Sequence, residues 1–258
     1  MRAVVQMSGG VGSWGAARRT VERYGRDAVT LLFADTMIED PDLYRFLDDA
    51  ARDIGVPITR IADGRTPWQV FNDEGMMGNS QADPCSRILK RELLRAHIEE
   101  HFDPDDTVVV LGIDWTEIHR FERAIPRWEP WRLEAPLCQQ PYIDKADLLA
   151  QLTERGIEPP GLYADGFPHN NCGGFCVKAG IAQFAHLLRM RPDTYAEHEA
   201  QEEAFRDRTG KDVSIMRDRN ARRQTKPLTM RRLRLQIEAQ GTLFADSDDW
   251  GGCGCAIE

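Results

Sequence analysis

Two sets of residues in this 258-residue chain are of types and spacings that can do chemistry. The first is Ser8-Gly9-Gly10-Val11-Gly12-Ser13, directly after the apolar run from Ala3 to Met7. Glycine lets a backbone fold back and approach a ligand with no Cβ in the way. The residues from Trp14 to Tyr24 read as a helix, whose unpaired N–H groups would point into the turn. Those amides and the helix dipole favour an anion there, and Ser8 and Ser13 add hydroxyl donors. The implied ligand is a phosphate, and hence a nucleotide. A Walker-type loop is excluded, because no lysine follows the glycines.

The second set is five of the six cysteines. Cys172 and Cys176 form a C-x-x-x-C pair in a glycine-rich turn, and Cys253-Gly254-Cys255 is a second pair. Cys85 follows Pro84 at a helix start, where the dipole favours a thiolate. Clustered cysteines outside a disulfide framework bind metal or do redox chemistry. Thiolates converging from glycine-flanked turns suit an iron–sulfur cluster or a tetrahedral zinc. No histidine joins the set, which favours iron–sulfur. The candidate ligands are Cys85, Cys172, Cys176, Cys253 and Cys255. Cys138, within Pro136-Leu137-Cys138, reads instead as a small buried hydrophobe.

The elements that must position these residues alternate. Strands are expected over 3–7, 29–34, 57–61 and 108–111, and helices over 14–24, 43–54, 88–98 and 145–155. In the second helix, Leu43, Phe46, Leu47, Ala50, Ala51 and Ile54 fall on one face. Alternation of this kind implies an α/β fold, a doubly wound parallel sheet with helices on both faces. Ligands then sit at the carboxyl ends of the strands, where Ser8, Asp35 and Gly112-Ile113-Asp114 fall. The stretch from Gly64 to Asp83 reads as a long loop in the place of a lid. After Pro159-Pro160 the composition changes, so a nucleotide-binding domain is expected over 1–160 and a helical, cysteine-bearing lobe over 161–258.

The net charge of -9 argues against general attraction to a polyanion. The stretch Arg217–Arg234 is nevertheless locally basic, with Arg219, Arg222, Arg223, Lys226, Arg231 and Arg232 between its ends. It suits either nucleic-acid phosphates or a solvated helix face paired with acids, and it lacks aromatics for base stacking. No apolar run reaches membrane-spanning length, and the chain opens on a strand without an apolar signal core, so a cytoplasmic protein with no membrane partner is expected.

Two loop types fit the glycine turn. Gly10-Val11-Gly12-Ser13-Trp14-Gly15 satisfies G-x-G-x-x-G, with Asp35 where a dinucleotide-binding fold keeps its ribose-holding acid. One such reading is an NAD(P)-dependent oxidoreductase with a structural zinc, but the dinucleotide motif itself leaves the five cysteines without a role. Ser8–Ser13 also resembles the pyrophosphate loop of the PP-loop, adenine nucleotide α-hydrolase-like superfamily. Within it the chain is similar to the phosphoadenosine-phosphosulfate (PAPS) reductase family. Phe33-Ala34-Asp35-Thr36 looks like the family's D-T segment, and Pro84-Cys85-Ser86-Arg87-Ile88-Leu89-Lys90 like its stretch at a helix start. Leu111-Gly112-Ile113-Asp114, with Glu117 and Arg120, resembles its later nucleotide-contact segment, and Leu162-Tyr163…Asn171-Cys172…Cys176 its L-Y…G-C-x-x-C element with one extra residue.

The resemblance implies an adenine nucleotide (ATP, PAPS or APS) on Ser8, Gly9, Gly10, Val11, Gly12 and Ser13. Ribose or adenine contacts would come from Asp35 and Thr36, and further contacts from Gly112, Asp114 and Arg120. It implies a four-iron, four-sulfur cluster on Cys85, Cys172 and Cys176, completed by Cys253 or Cys255. Arg87 and Lys90 would offset charge during catalysis, and Cys253 or Cys255 would be a mobile nucleophile. Magnesium could accompany the phosphates, and a thiol or sulfur-donor protein could be a partner. Two features depart from the family: Gly12 stands where many such loops carry an acid, and the ending lacks the family's Glu and His. Sulfonucleotide reduction and ATP-dependent sulfur transfer therefore stay open, beside a non-catalytic nucleotide- or nucleic-acid-binding module.

Overall fold

The computed structural model describes residues 1–218, 226–240 and 250–251. In chain order its elements are β1 (Arg2–Met7), α1 (Val11–Tyr24), β2 (Val29–Asp35), α2 (Pro41–Ile54), β3 (Ile58–Ala62) and α3 (Pro67–Glu74). A helix then starts as α4 (Pro84–Ser86), widens into a π turn (Arg87–Glu92) and continues as α5 (Leu93–His101). Next come β4 (Thr107–Val110), α6 (Ile118–Trp128), β5 (Arg132–Glu134), α7 (Lys145–Glu154) and α8 (Gly161–Ala164). The described chain closes with α9 (Ile181–Met190), α10 (Pro192–Thr209), β6 (Met216–Asp218), β7 (Lys226–Leu228) and α11 (Met230–Gln240).

The five strands β1 to β5 make one parallel sheet of order β3-β2-β1-β4-β5, the expected α/β architecture. Residues on a strand alternate between faces, and β1 shows how this sorts the core. Ala3, Val5 and Met7 pack with residues of α1, α2 and α7 such as Trp14, Phe46 and Leu148. Val4 faces the other way, towards Leu94, Ile98 and Trp128 of α5 and α6. Apolar residues on both faces of a strand are what a parallel sheet buried between helices requires.

The second core belongs to the helical lobe, where Phe184, Tyr195, Phe205 and Leu233 pack with Trp68 and Phe71 of α3. The lobe therefore does not draw on the C-terminal third alone. This also corrects the long loop expected over 64–83. Thr66 and Gln69 form a reciprocal capping box, Pro67 takes the first helical turn, and Trp68 and Phe71 are buried. Within the lobe the fully buried Glu202 accepts from the backbone N–H of Ile215 at 3.0 Å and of Met230 at 2.6 Å. One side chain of α10 thus ties down both the β6–β7 hairpin and the start of α11. Among the described residues, no helix is long and apolar enough to cross a membrane.

Candidate nucleotide cleft and cysteine cavity

The glycine turn leaves β1 and opens α1, and its shape is set by what presses on it. Gly9 has φ +75°, and a Cβ there would lie 2.6 Å from Leu43 of α2. A Cβ on Gly12 would lie 2.8 Å from the Gly112 carbonyl oxygen, and one on Gly112 would lie 2.7 Å from Ser13 Cα. The loops after β1 and β4 thus meet backbone to backbone, with only glycine tolerated at either side. This is the physical reason for glycine at position 12. Ser13 Oγ donates to the Gly10 carbonyl at 2.8 Å and accepts from the Ser8 amide at 3.2 Å, which closes the turn. No side chain of the helix's own first turn caps α1. Instead the Val11 amide donates to the hydroxyl of Tyr163, 152 residues away, at 3.3 Å.

This turn borders a cleft of about 1200 Å³, including its open mouth, at the carboxyl edge of the sheet. Ser8, Gly10, Val11, Gly12, Ser13, Lys90, Gly112, Asp114 and Arg120 all line it. Gly9 instead presents its carbonyl to Asn170 Nδ2 at 2.7 Å, which braces the turn from behind. Arg120 is paired with Glu117, and Asp114 caps the turn after it by accepting from the Thr116 amide at 2.8 Å. Lys145, at the start of α7, also lines the cleft. Its Nζ sits 4.0 Å from the centre of the Tyr163 ring and donates to the Pro168 carbonyl at 2.6 Å. Burial holds this ammonium below the usual lysine range.

Other expected nucleotide contacts lie elsewhere. Asp35 stands at the end of β2 as expected, but it is fully buried and its carboxylate accepts from the Tyr44 hydroxyl at 3.1 Å and the Met37 amide at 2.8 Å. It is also paired with Arg60 of β3, and it does not border the cleft. Arg87 points outward, bridging Glu74 at 2.8 Å and Glu92 at 2.9 Å. Both side chains are engaged in holding elements together.

Beyond Lys90 lies a second, smaller cavity of about 330 Å³, bordered by Thr36, Cys85, Cys172 and Cys176 among others. Lys90 borders both spaces. It sits in the π turn, a local widening of the helix that recurs at functional sites, and pairs with the buried Glu39 at 3.2 Å. Glu39 also accepts from the Thr36 hydroxyl at 2.9 Å and from the Cys172 amide. Cys172 itself lies in the left-handed region, at φ +48°. Three of the five expected sulfur ligands are therefore brought to one cavity. They do not form a metal site as placed: among the described residues, no group of three or more His, Cys, Asp or Glu is arranged to hold a metal ion. Cys253 and Cys255 lie outside the described residues, as do Arg219, Arg222 and Arg223 of the basic stretch. Of that stretch, Arg234 pairs with Glu199 at 2.8 Å and Glu238 at 3.0 Å, and Arg232 with Asp218 at 3.8 Å. Cys138, expected to be buried, is only half-buried; its thiol donates to the Ile113 carbonyl at 3.4 Å, and desolvation pushes it up to about 11.

Sequence reasoning missed Gln6, Lys145 and Asn170, all of which border the cleft; Tyr163, noted only as part of the Leu162-Tyr163 element, borders it too. For Gln6 a signal existed, namely a lone amide within an apolar strand. Lys145 and Asn170 arrive from more than 130 residues along the chain, and nothing local marks them. No family model and no curated protein sequence matches the chain. Among solved structures, a phosphate complex of PAPS reductase from Candida auris is similar at 16% identity and a TM-score of 0.46. The match spans 65% of this chain and 79% of that one.

Proposed function

We propose that the chain is an enzyme that holds an adenine nucleotide in the cleft, phosphates on the Ser8–Ser13 turn, and directs it to sulfur chemistry at the neighbouring cysteines. The observation that carries this reading is the position of Lys90, a buried cation bordering both the cleft and the cavity of Cys85, Cys172 and Cys176. A cation there offsets negative charge on a phosphate or a transferring sulfur group on either side. Backbone amides at the start of α1, with the hydroxyls of Ser8 and Ser13, supply the phosphate donors. Lys145 and Arg120 add positive charge at the cleft wall. A dinucleotide reading needs Asp35 on a ribose, and the engagement of Asp35 with Tyr44 and Arg60 weighs against it.

An iron–sulfur cluster would draw on Cys85, Cys172 and Cys176 and need a fourth thiolate from Cys253 or Cys255. Among the described residues, no group of three or more His, Cys, Asp or Glu is arranged to hold a metal ion. Calorimetric titration with ATP and with PAPS tests the nucleotide reading, with binding of either expected. Turnover assays for pyrophosphate, AMP or sulfite then separate ATP-dependent sulfur transfer from sulfonucleotide reduction. Binding without any of these products would make the chain a non-catalytic module. Anaerobic purification with iron and sulfide assays tests the cluster independently.

A further inference from the structure

Gln6 is an anomaly in β1. Strand alternation puts its side chain on the face of Val4, among the apolar residues of the α5 and α6 side. The residue is only 5% exposed, and neither the nitrogen nor the oxygen of its carboxamide has a hydrogen-bond partner. Leaving a buried donor or acceptor unmade is costly, so native proteins rarely tolerate one and an unpaired amide asks for an explanation. Gln6 borders the cleft, beside Ala34, Leu94 and Leu111, which give the surrounding wall an apolar character. A second unpaired group faces the same space: Asn170 uses its nitrogen on Gly9, and its buried oxygen has no partner.

Position along the strand narrows what the amide meets. Gln6 precedes Ser8 by two residues, about 7 Å at the rise of a strand, which is the span of a ribose from the phosphate turn. A group that lies there when phosphates occupy the turn is the base. A carboxamide offers one N–H donor beside one acceptor, and adenine offers the complement, an exocyclic N–H beside a ring nitrogen. Paired glutamine and adenine edges are an established bidentate match. Resting on the adenine-nucleotide reading above, we infer that Gln6 is the base-reading residue of the cleft, its amide pairing with the amino edge of adenine between apolar walls.

The test is a cycle between residue 6 and the 6-amino group, using calorimetric affinities for ATP and for purine riboside 5′-triphosphate, which lacks that group. Wild-type protein should lose about fivefold to tenfold in affinity when the amino group is absent, the worth of one neutral hydrogen bond. Gln6→Met should bind ATP about tenfold more weakly, and should no longer distinguish the two triphosphates. Gln6→Glu, which keeps the length but loses the donor, should also weaken ATP. Unchanged binding of inorganic pyrophosphate by both variants shows that the turn is intact. ATP affinity within twofold of wild type in Gln6→Met, with the amino-group effect undiminished, overturns the role of Gln6 and leaves the nucleotide reading standing. A wild-type protein that binds pyrophosphate but gains nothing from the adenosine portion overturns both.

Discussion

At the glycine turn after β1 two loops touch backbone to backbone, Gly12 against the Gly112 carbonyl and Gly112 against Ser13. In the helical lobe, by contrast, distant segments are joined by single buried polar side chains. Glu202 takes the amides of Ile215 and Met230, and Trp68 Nε1 donates to His198 Nδ1 at 2.9 Å. His198 is itself stacked on Phe175, with ring centres 3.6 Å apart. The first kind of contact fails when any atom is added, and does not depend on pH. The second survives small changes of volume but is sensitive to protonation. Shape thus fixes the cleft, and charge state fixes the lobe.

The largest effect expected is from adding one methyl group at the cleft. In Gly112→Ala the new Cβ meets main-chain atoms of Ser13, which cannot rotate away as a side chain would. The loop must shift, at a cost near or above the 3 kcal/mol upper end of ordinary overpacking. Loss of measurable nucleotide binding and a lower Tm, equal at pH 5 and pH 8, would bear out a cleft held by shape. Retained affinity would refute it.

The lobe should answer to pH instead. Burial pushes His198 down to about 4 from an ordinary 6.5, so the unfolded chain takes up that proton first. Its contribution makes stability rise with pH between about 4 and 6.5, and is flat above. Burial pushes Glu202 up to about 7 from 4.5, so the folded chain takes up that proton first. Its contribution makes stability fall as pH rises from 4.5 to 7. Through 4.5 to 6.5 the two slopes oppose, and the wild-type lobe should show a nearly level Tm. Removing either group exposes the other, with a swing of up to about 3 kcal/mol across its window. Glu202→Gln should become acid-labile below pH 6.5, and His198→Gln should lose stability as pH rises towards 7. Parallel Tm profiles for all three proteins would show that these groups do not titrate as described.

A smaller effect concerns Asp35. Its partners Tyr44 and Arg60 bind α2 and β3 to the end of β2. Asp35→Asn should destabilise by about 1–3 kcal/mol, the worth of a buried hydrogen-bonded charge lost. ATP affinity should stay within about threefold, a change of under 1 kcal/mol. A tenfold loss of affinity without loss of Tm would return Asp35 to the ligand.

How far these distinctions were legible depends on the range of the forces involved. The first four strands, the helices between them and the glycine turn follow from periodicity and a local motif, and the observed bounds lie close to those expected. The capping box at Thr66 and Gln69 was equally local, and α3 could have been read from it. What the chain did not disclose is pairing across distance. Asp35 sits at the strand end where a ribose contact was expected, yet Tyr44 and Arg60 already hold its carboxylate. Tyr163 reaches the Val11 amide, and Glu202 reaches two other segments, only because the fold brings them together. The cysteines fall between these cases: Cys85, Cys172 and Cys176 border one shared cavity, as their motif spacing suggested, but no group of three among the described residues is arranged to hold a metal ion.

Arg87 supplies the smallest effect and the sharpest control. A helix-start arginine next to Cys85 resembles a charge aimed at a phosphate, whereas its guanidinium lies between Glu74 and Glu92 at the surface. Exposed ion pairs of this kind contribute about 0–1 kcal/mol. Arg87→Ala should therefore lower Tm slightly, with the difference shrinking in 1 M salt as screening replaces the lost pairs. Nucleotide affinity should be unchanged, whereas Lys90→Ala, which removes the cation shared by cleft and cysteine cavity, should weaken it at least tenfold, the loss of a charge-assisted contact. If the two substitutions weaken ATP binding equally, the exposed arginine folds back onto the ligand and the division between surface and cleft charges drawn from their positions is wrong.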